Sequence, residues 1–226
     1  MILTIYFASA ETLLRLFPIT SSLPSGYHTD FVIMALQSDS LVPFVPIFAV
    51  LPFSASYVDD IKSKFARYFC IRSSYNTYII SRIIACFLCG GIVIVSGILL
   101  AWGSAALLFM PLEEVETTHS DSFATLLTLY WMMFWAGGFW SIMGMAMSSL
   151  MESKYIAYAT PFVFYYLLLI LYERYFSDLF IIYPKTWTDP TAWPFGCWGA
   201  TIFLFEMTLI FALLFAFLAG RRLKQL

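Results

Sequence analysis

Long uninterrupted apolar runs are the feature that most constrains how this chain can fold. The clearest are residues 83–110, 123–150 and 195–219. A run of about 18 or more apolar residues is long enough to cross the roughly 30 Å hydrocarbon core of a bilayer as a helix. Because these runs are continuous and do not alternate every second residue, they disfavour a transmembrane β-barrel. The sequence therefore predicts an all-α integral membrane protein.

Three weaker runs complete the predicted topology. Residues 41–57 contain three prolines, residues 156–172 are short and rich in aromatic side chains, and residues 1–17 are interrupted by one acid and one base. With these runs included, we expect one domain over residues 1–226 that crosses the membrane six times. The first of these spans is the weakest.

The distribution of basic residues indicates how the spans are oriented. Loops on the cytoplasmic side of membrane proteins carry an excess of Lys and Arg. Segments 58–82, 151–155 and 220–226 together hold nine of the twelve basic residues. We therefore expect a multi-pass protein of the cell membrane, bacterial in origin, with both termini and these three segments in the cytoplasm.

The predicted outer segment 173–194 combines many aromatic residues with three prolines. It is too apolar for a loop in water, and it is too short and too broken to span the membrane. Non-helical backbone enters a membrane only where it packs against protein or faces a cavity. Two interpretations remain open, namely a re-entrant or interfacial hairpin before the last span and a belt of aromatic residues at the headgroup level.

The segment 59–82 gathers five of the twelve basic residues between the second and third predicted spans. Ile61, Phe65 and Tyr68 are spaced to share one face of a helix. Two acids stand at the start of this helix, where they suit the positive end of its dipole. Either the charges hold the loop inside and touch anionic lipid, or the helix docks a cytoplasmic partner. The apolar face and the break that follows it favour docking.

Residues 44–91 resemble the permease subunits of ATP-binding-cassette exporters of the type-2 family. Those subunits have a second span rich in Pro and small residues, followed by a helix with acidic and basic residues. A turn comes next, and Arg72, Ser73, Tyr78 and Arg82 match it. The six-span topology with a hairpin before the last span is also similar to that family.

The resemblance implies a permease subunit of an ATP-driven exporter that moves an amphipathic cargo, either a peptide or a lipid-like molecule. The expected partners are a cytoplasmic ATPase subunit, a second permease subunit and membrane lipid, without nucleic acid. In the family, the helix after the second span is a coupling helix that fits a groove of the ATPase. The matching residues here are Asp59, Asp60, Ile61, Lys62, Lys64, Phe65, Arg67, Tyr68 and Arg72.

The sequence contains no phosphate-binding G-x-x-x-x-G-K-[ST] motif. ATP and Mg²⁺ are therefore expected on the separate ATPase, and no catalytic residue, cofactor or metal is expected in this chain. The alternative function is a non-transporting membrane scaffold or sensor subunit that docks a cytoplasmic partner.

Two further features of the predicted spans point to specific roles. Glu206 is a candidate for lining a pathway, because a carboxylate inside the membrane is costly and usually faces the protein interior or water. A stripe of small residues on the span 123–150 allows another helix to approach closely. The members of this small-residue stripe are Gly137, Ser141, Gly144 and Ser148.

Overall fold

The computed structural model describes residues 26–38, 40–65, 68–69, 74–113, 122–176 and 178–223. This part of the chain is helical and contains no β-strand, which confirms the all-α character predicted for the residues described. Its α-helices are α1 (Tyr27–Leu36), α2 (Phe44–Val50), α3 (Ser56–Lys62), α4 (Tyr75–Phe109), α5 (Ser122–Met151), α6 (Lys154–Arg174) and α7 (Cys197–Leu223).

Helices α4, α5, α6 and α7 are each long enough and apolar enough to cross a membrane. They overlap the predicted spans 83–110, 123–150, 156–172 and 195–219. Helix α4 begins well before residue 83, because the side chain of Ser74 caps it by accepting a hydrogen bond from the backbone N–H of Thr77 at 3.3 Å. The span predicted over residues 1–17 lies outside the residues that the structure describes.

The span predicted over residues 41–57 is not one continuous helix. The structure has two short helices in this region, α2 and α3, separated by turns over residues 51–55. Pro52 has no N–H to donate to the carbonyl of Phe48, and its ring clashes with a continuing helix. Helix α2 therefore ends at Val50.

The three short helices follow one another along the length of the bundle. In α1, the ring of Tyr27 packs on Phe109 with centroids 5.5 Å apart, at one end of α4. In α3, Asp60 pairs with Arg82, near the other end of α4. Those two positions on α4 are about 40 Å apart along the helix axis. Helix α1 lies between the spans predicted over residues 1–17 and 41–57, and its ten residues are too few to cross a membrane as a helix.

Helix α5 is the central helix of the bundle. Its most apolar window is 67% buried, whereas the corresponding windows of the other three long helices are 28% buried or less. Helices α4, α6 and α7 all pack against α5, and so does the short helix α2. A helix that is apolar on all sides is expected in the middle of a membrane bundle.

The small-residue stripe of α5 lies at close helix contacts. A Cβ atom on Gly137 would come within 2.8 Å of the carbonyl oxygen of Gly90 in α4. A Cβ atom on Gly144 would come within 2.7 Å of the carbonyl oxygen of Ala157 in α6. The serines of the stripe are fully buried: Ser141 and Ser148.

The segment before α7 is a compact cap of short 3-10 helices, Phe180–Ile182, Pro184–Thr188 and Pro190–Ala192. Its anchor is Trp187, which is 4% exposed. The Trp187 ring stacks on Trp140 of α5 with centroids 5.6 Å apart, and it lies 5.5 Å from the ring of Phe203 in α7. The indole N–H of Trp187 donates to the carbonyl of Ile181 at 2.8 Å, so the ring is buried without an unpaired donor.

Candidate functional site

Helix α3, the turn between α5 and α6, and the end of α7 meet at one end of the bundle, which we call the basic end. Each of these elements contributes charged side chains. Three ion pairs among the described residues join them to one another and to α4: Asp60–Arg82, Asp59–Lys154 and Glu152–Arg222.

The pair between Asp60 and Arg82 is the most enclosed of the three, with side chains 13% and 17% exposed. The hydroxyl of Tyr78 also donates to the Asp60 carboxylate at 2.5 Å. The Arg82 guanidinium lies 5.4 Å from the ring centroids of both Phe53 and Tyr78. Helix α3 is therefore tied to α4 by a charge pair with a hydrogen bond and two aromatic faces around it.

The pair between Asp59 and Lys154 connects α3 to the start of α6. It is largely solvated, because the two side chains are 52% and 45% exposed. Neighbouring aspartates in the sequence thus reach different helices in different environments. Water screens an exposed pair of this kind, so it adds little to the stability of the fold.

Apolar contacts attach α3 to α7 as well. Tyr57 is 1% exposed, and its ring meets Phe215 of α7 edge-on with centroids 4.9 Å apart. Ile61 is partly buried against the same cluster. Asp59, Asp60 and Ile61 were all predicted to contact an ATPase. In the structure Asp60 and Ile61 lie against the bundle, whereas Asp59 is half exposed and pairs with Lys154.

Four of the other predicted coupling residues face solvent and form what we call the docking patch: Lys62, Lys64, Phe65 and Tyr68. Phe65 is 50% exposed and Tyr68 is 69% exposed. The remaining two predicted coupling residues, Arg67 and Arg72, lie outside the residues described.

The docking patch is not the single amphipathic helix that the spacing of its apolar residues suggested. Helix α3 ends at Lys62, and Lys64 has a left-handed backbone with φ of 63°. A residue with a Cβ adopts that conformation at a cost of about 1–2 kcal/mol. A glycine often marks a left-handed residue at the end of a helix. Because a lysine stands at this position, the sequence did not reveal that the helix ends here.

Charge at the basic end is unbalanced. The three carboxylates of the ion pairs are already occupied, whereas three basic residues of the described part have no carboxylate partner there: Lys62, Lys64 and Arg221. The surface therefore carries an excess of positive charge beside exposed aromatic rings, which suits an acidic protein surface or an anionic membrane.

Glu206 lies in the middle of α7, and its side chain is exposed on the outside of the bundle. Its exposed neighbours include Ile202, Phe205 and Leu209. Glu206, the candidate for lining a pathway, therefore does not face the interior of this chain. Among the described residues, no group of three His, Cys, Asp or Glu side chains could hold a metal ion.

No protein-family model matches this sequence, and no curated protein and no solved structure is significantly similar to it. The chemistry and geometry of the basic end are therefore what indicate a function.

The opposite end of the bundle holds a polar contact that sequence reasoning missed. Glu113, which follows α4, accepts hydrogen bonds from the backbone N–H groups of Gly26 and His28 at 3.1 and 2.9 Å. The Nδ1 atom of His28 lies 2.8 Å from the same carboxylate. Glu113 thereby caps the start of α1, whose own cap residue, Gly26, has no side chain to do so. This contact could not be predicted from a local sequence pattern, because His28 and Glu113 are 85 positions apart.

We expect the Glu113 cap to make the protein less stable in acid. Burial alone would raise the pKa of Glu113, but the hydrogen bonds from His28 and Gly26 outweigh it and lower the pKa below its ordinary value of 4.5. The cap therefore contributes stability above pH 4.5, which is lost as the pH falls through the lowered pKa of the folded state. Thermal unfolding in detergent, measured from pH 7 to pH 3, checks this prediction.

The control for the Glu113 prediction is Glu113→Gln, which removes the charge but keeps the shape. We expect it to cost about 1–3 kcal/mol at pH 7 and to flatten the decline below pH 4.5. An equally steep acid decline in this variant would show that other carboxylates are responsible.

Proposed function

We propose that this chain is the membrane permease subunit of an ATP-driven exporter, and that a separate ATPase docks on the docking patch at the basic end. The observation that carries the proposal is the dual character of the segment after α2. Its acids and apolar residues fix α3 to α4, α6 and α7, whereas Phe65, Tyr68 and two lysines remain free for a partner.

This arrangement suits the transmission of force. A partner that grips Phe65 and Tyr68 would pull on α3, and α3 is linked to three long helices by separate contacts. The enclosed Asp60–Arg82 pair is the stiffest of these links, because both charges are largely removed from water. Nucleotide-driven movement of the ATPase would therefore tilt several spans together, as alternating access requires.

Exposed Glu206 supports a second membrane subunit in the proposed exporter. A charged carboxylate on a lipid-facing helix surface is costly, and such residues usually face other protein or a water-filled cavity. We propose that α7 meets a second permease subunit along the face that carries Glu206. The pathway for an amphipathic cargo then lies between subunits and not inside one.

The position of Trp187 supports the re-entrant interpretation of the predicted hairpin over the aromatic belt. Its ring contacts Phe203, which is about 9 Å along α7 from the first residue of that helix. A belt at the headgroup level would remain at the helix ends. We propose that the segment before α7 enters the outer part of the bundle and closes it on the side opposite the docking patch.

The docking proposal predicts that Phe65→Ala combined with Tyr68→Ala weakens ATPase binding about ten-fold or more. Aromatic anchors that become buried at an interface contribute about 2 kcal/mol or more. The assay is pull-down of the proposed ATPase subunit, together with its ATP hydrolysis rate in proteoliposomes containing the full chain.

The matched control for the docking test is Tyr155→Ala, which removes an aromatic side chain 85% exposed at the same end of the bundle. It should leave binding and ATP hydrolysis unchanged. Equal losses in the control and in the double variant would contradict a defined docking patch. Binding that is strong but independent of nucleotide would instead favour the scaffold or sensor function.

A further inference from the structure

A furrow runs along the surface of the bundle between α4 and α7. Two cavities of about 550 and 270 Å³ follow one another along it. Their walls come from residues 75–88 of α4 and 205–221 of α7, at spacings of three and four that keep to one face of each helix. The smaller cavity lies farther from the basic end, and we call it the deeper cavity. It is also lined by Trp135 and Ile142 of α5.

The chemistry of the furrow changes along its length. The cavity at the basic end includes Asn76 and Arg221 among its lining residues. The deeper cavity is walled by apolar residues such as Phe87 and Leu209. Its one hydroxyl among the lining residues, that of Thr208, donates to a carbonyl of its own helix at 2.6 Å. The furrow is therefore polar and basic at one end and apolar at the other.

Arg221 is available for an anionic ligand. Its guanidinium lies 4.2 Å from the ring centroid of Phe217, and no carboxylate of the described residues pairs with it. The next residue, Arg222, is already occupied, since it donates to Glu152 at 2.5 Å and to the carbonyl of Leu150 at 2.9 Å. The structure thus separates two adjacent arginines into one that ties helices together and one that faces the furrow.

The length of the furrow matches one leaflet of a membrane. From Asn76 to Leu88 the furrow follows α4 for about 18 Å, and half of the hydrocarbon core of a bilayer is about 15 Å. A ligand that fills it needs an anionic head at Arg221 and an apolar tail about one leaflet long.

We propose that the furrow between α4 and α7 is a binding site for one anionic phospholipid. The phosphate lies at Arg221, and one acyl chain follows the furrow past Phe87 and Leu209. Basic pockets between membrane helices on the cytoplasmic side commonly recognise anionic headgroups. The site does not depend on the ATPase, so it would be present in either the exporter or the scaffold.

Native mass spectrometry of the full chain in detergent tests the lipid site. We expect phosphatidylglycerol to bind about five-fold or more tightly than phosphatidylcholine with the same acyl chains, because one basic side chain near a membrane surface contributes about that factor. Arg221→Gln should remove the preference, and Arg221→Lys should largely retain it. Gly220→Leu should weaken both lipids, because a Cβ at this position would already lie 3.9 Å from the Cδ1 atom of Ile79 across the furrow, and the rest of the leucine side chain would fill the space between them.

The matched control for the lipid test is Lys62→Gln, which removes an exposed positive charge at the same end without touching the furrow. It should leave the preference intact. An equal loss in Lys62→Gln would overturn the proposal, because it would show diffuse attraction to the basic end. So would full competition by soluble glycerol phosphate, which would indicate a site for a free anion and not for a lipid.

Discussion

Replacing Asp60 by Ala is expected to destabilise the protein by about 3–5 kcal/mol. This is the cost of leaving one partner of an enclosed ion pair without its counter-charge. Arg82 would keep its charge at 17% exposure, between two aromatic rings and with no carboxylate to accept from it. Tyr78 would also lose the acceptor of its 2.5 Å hydrogen bond. Equilibrium unfolding in mixed detergent micelles measures the change in free energy.

The neighbouring residue provides the control for Asp60. Asp59→Ala breaks a pair that is about half exposed on both sides, so the expected loss of stability is much smaller than for Asp60→Ala. Changing both Asp60→Ala and Arg82→Met should recover much of the loss, because no unpaired charge then remains. Similar small effects at both aspartates would show that the Asp60–Arg82 pair is fully solvated, and α3 would lose its stiffest link to the long helices.

Replacing Gly90 by Ala is expected to cost about 3 kcal/mol, at the upper end of the range for overpacking a core. The new Cβ atom would lie 2.6 Å from the carbonyl oxygen of Gly137 and would also collide with the side chain of Ser141. Because one of these obstacles is backbone, the clash is relieved only by moving α4 away from α5. The Ser141 hydroxyl lies 3.1 Å from the Cys86 sulfur, so that contact would be disturbed as well.

Gly103→Ala is the matched control for Gly90, in the same helix. A Cβ atom at Gly103 would meet nothing within 4 Å. Removing a glycine from a helix interior is by itself favourable by up to about 1 kcal/mol. We therefore expect this variant to be as stable as the wild type or slightly more stable in the same unfolding assay. An equal loss at both positions would mean that glycine is needed in α4 for a reason other than close packing.

These two expected results concern the two properties that the proposed function requires. The contact at Gly90 holds α4 and α5 at close approach. The Asp60 contact attaches the segment that bears the docking patch to α4. An exporter subunit in which either contact fails would still bind through Phe65 and Tyr68, but it would not convert binding into movement of its spans.

The spans of the bundle were predictable to different degrees. Four apolar runs correspond to α4, α5, α6 and α7, because about 20 consecutive apolar residues leave a chain few alternatives to a membrane helix. The break in the run over residues 41–57 was not predicted, because hydropathy does not register that Pro52 ends a helix. Helix α1 was missed because it is short and is stabilised by the Glu113 cap and by the Phe109 ring, which are distant in the sequence.

The candidate site also combines features that the sequence predicted with features that only the structure showed. The sequence identified a charged amphipathic segment after residue 58, and the pattern was interpreted as one surface. It did not reveal that Asp60 points inward and that Phe65 points outward, since both follow from the left-handed backbone at Lys64 and from the position of Arg82. The outward face of Glu206 was also unpredictable, because periodicity does not say which side of α7 meets α5.

The sequence by itself determined that this chain is helical, apolar enough to enter a membrane and basic in particular segments, because those properties are sums over neighbouring residues. The tertiary structure decided which acid meets which base, which glycines lie where helices touch, and which side chains are left for partners. Those outcomes depend on residues tens of positions apart meeting at distances of a few ångströms, and no local pattern encodes them.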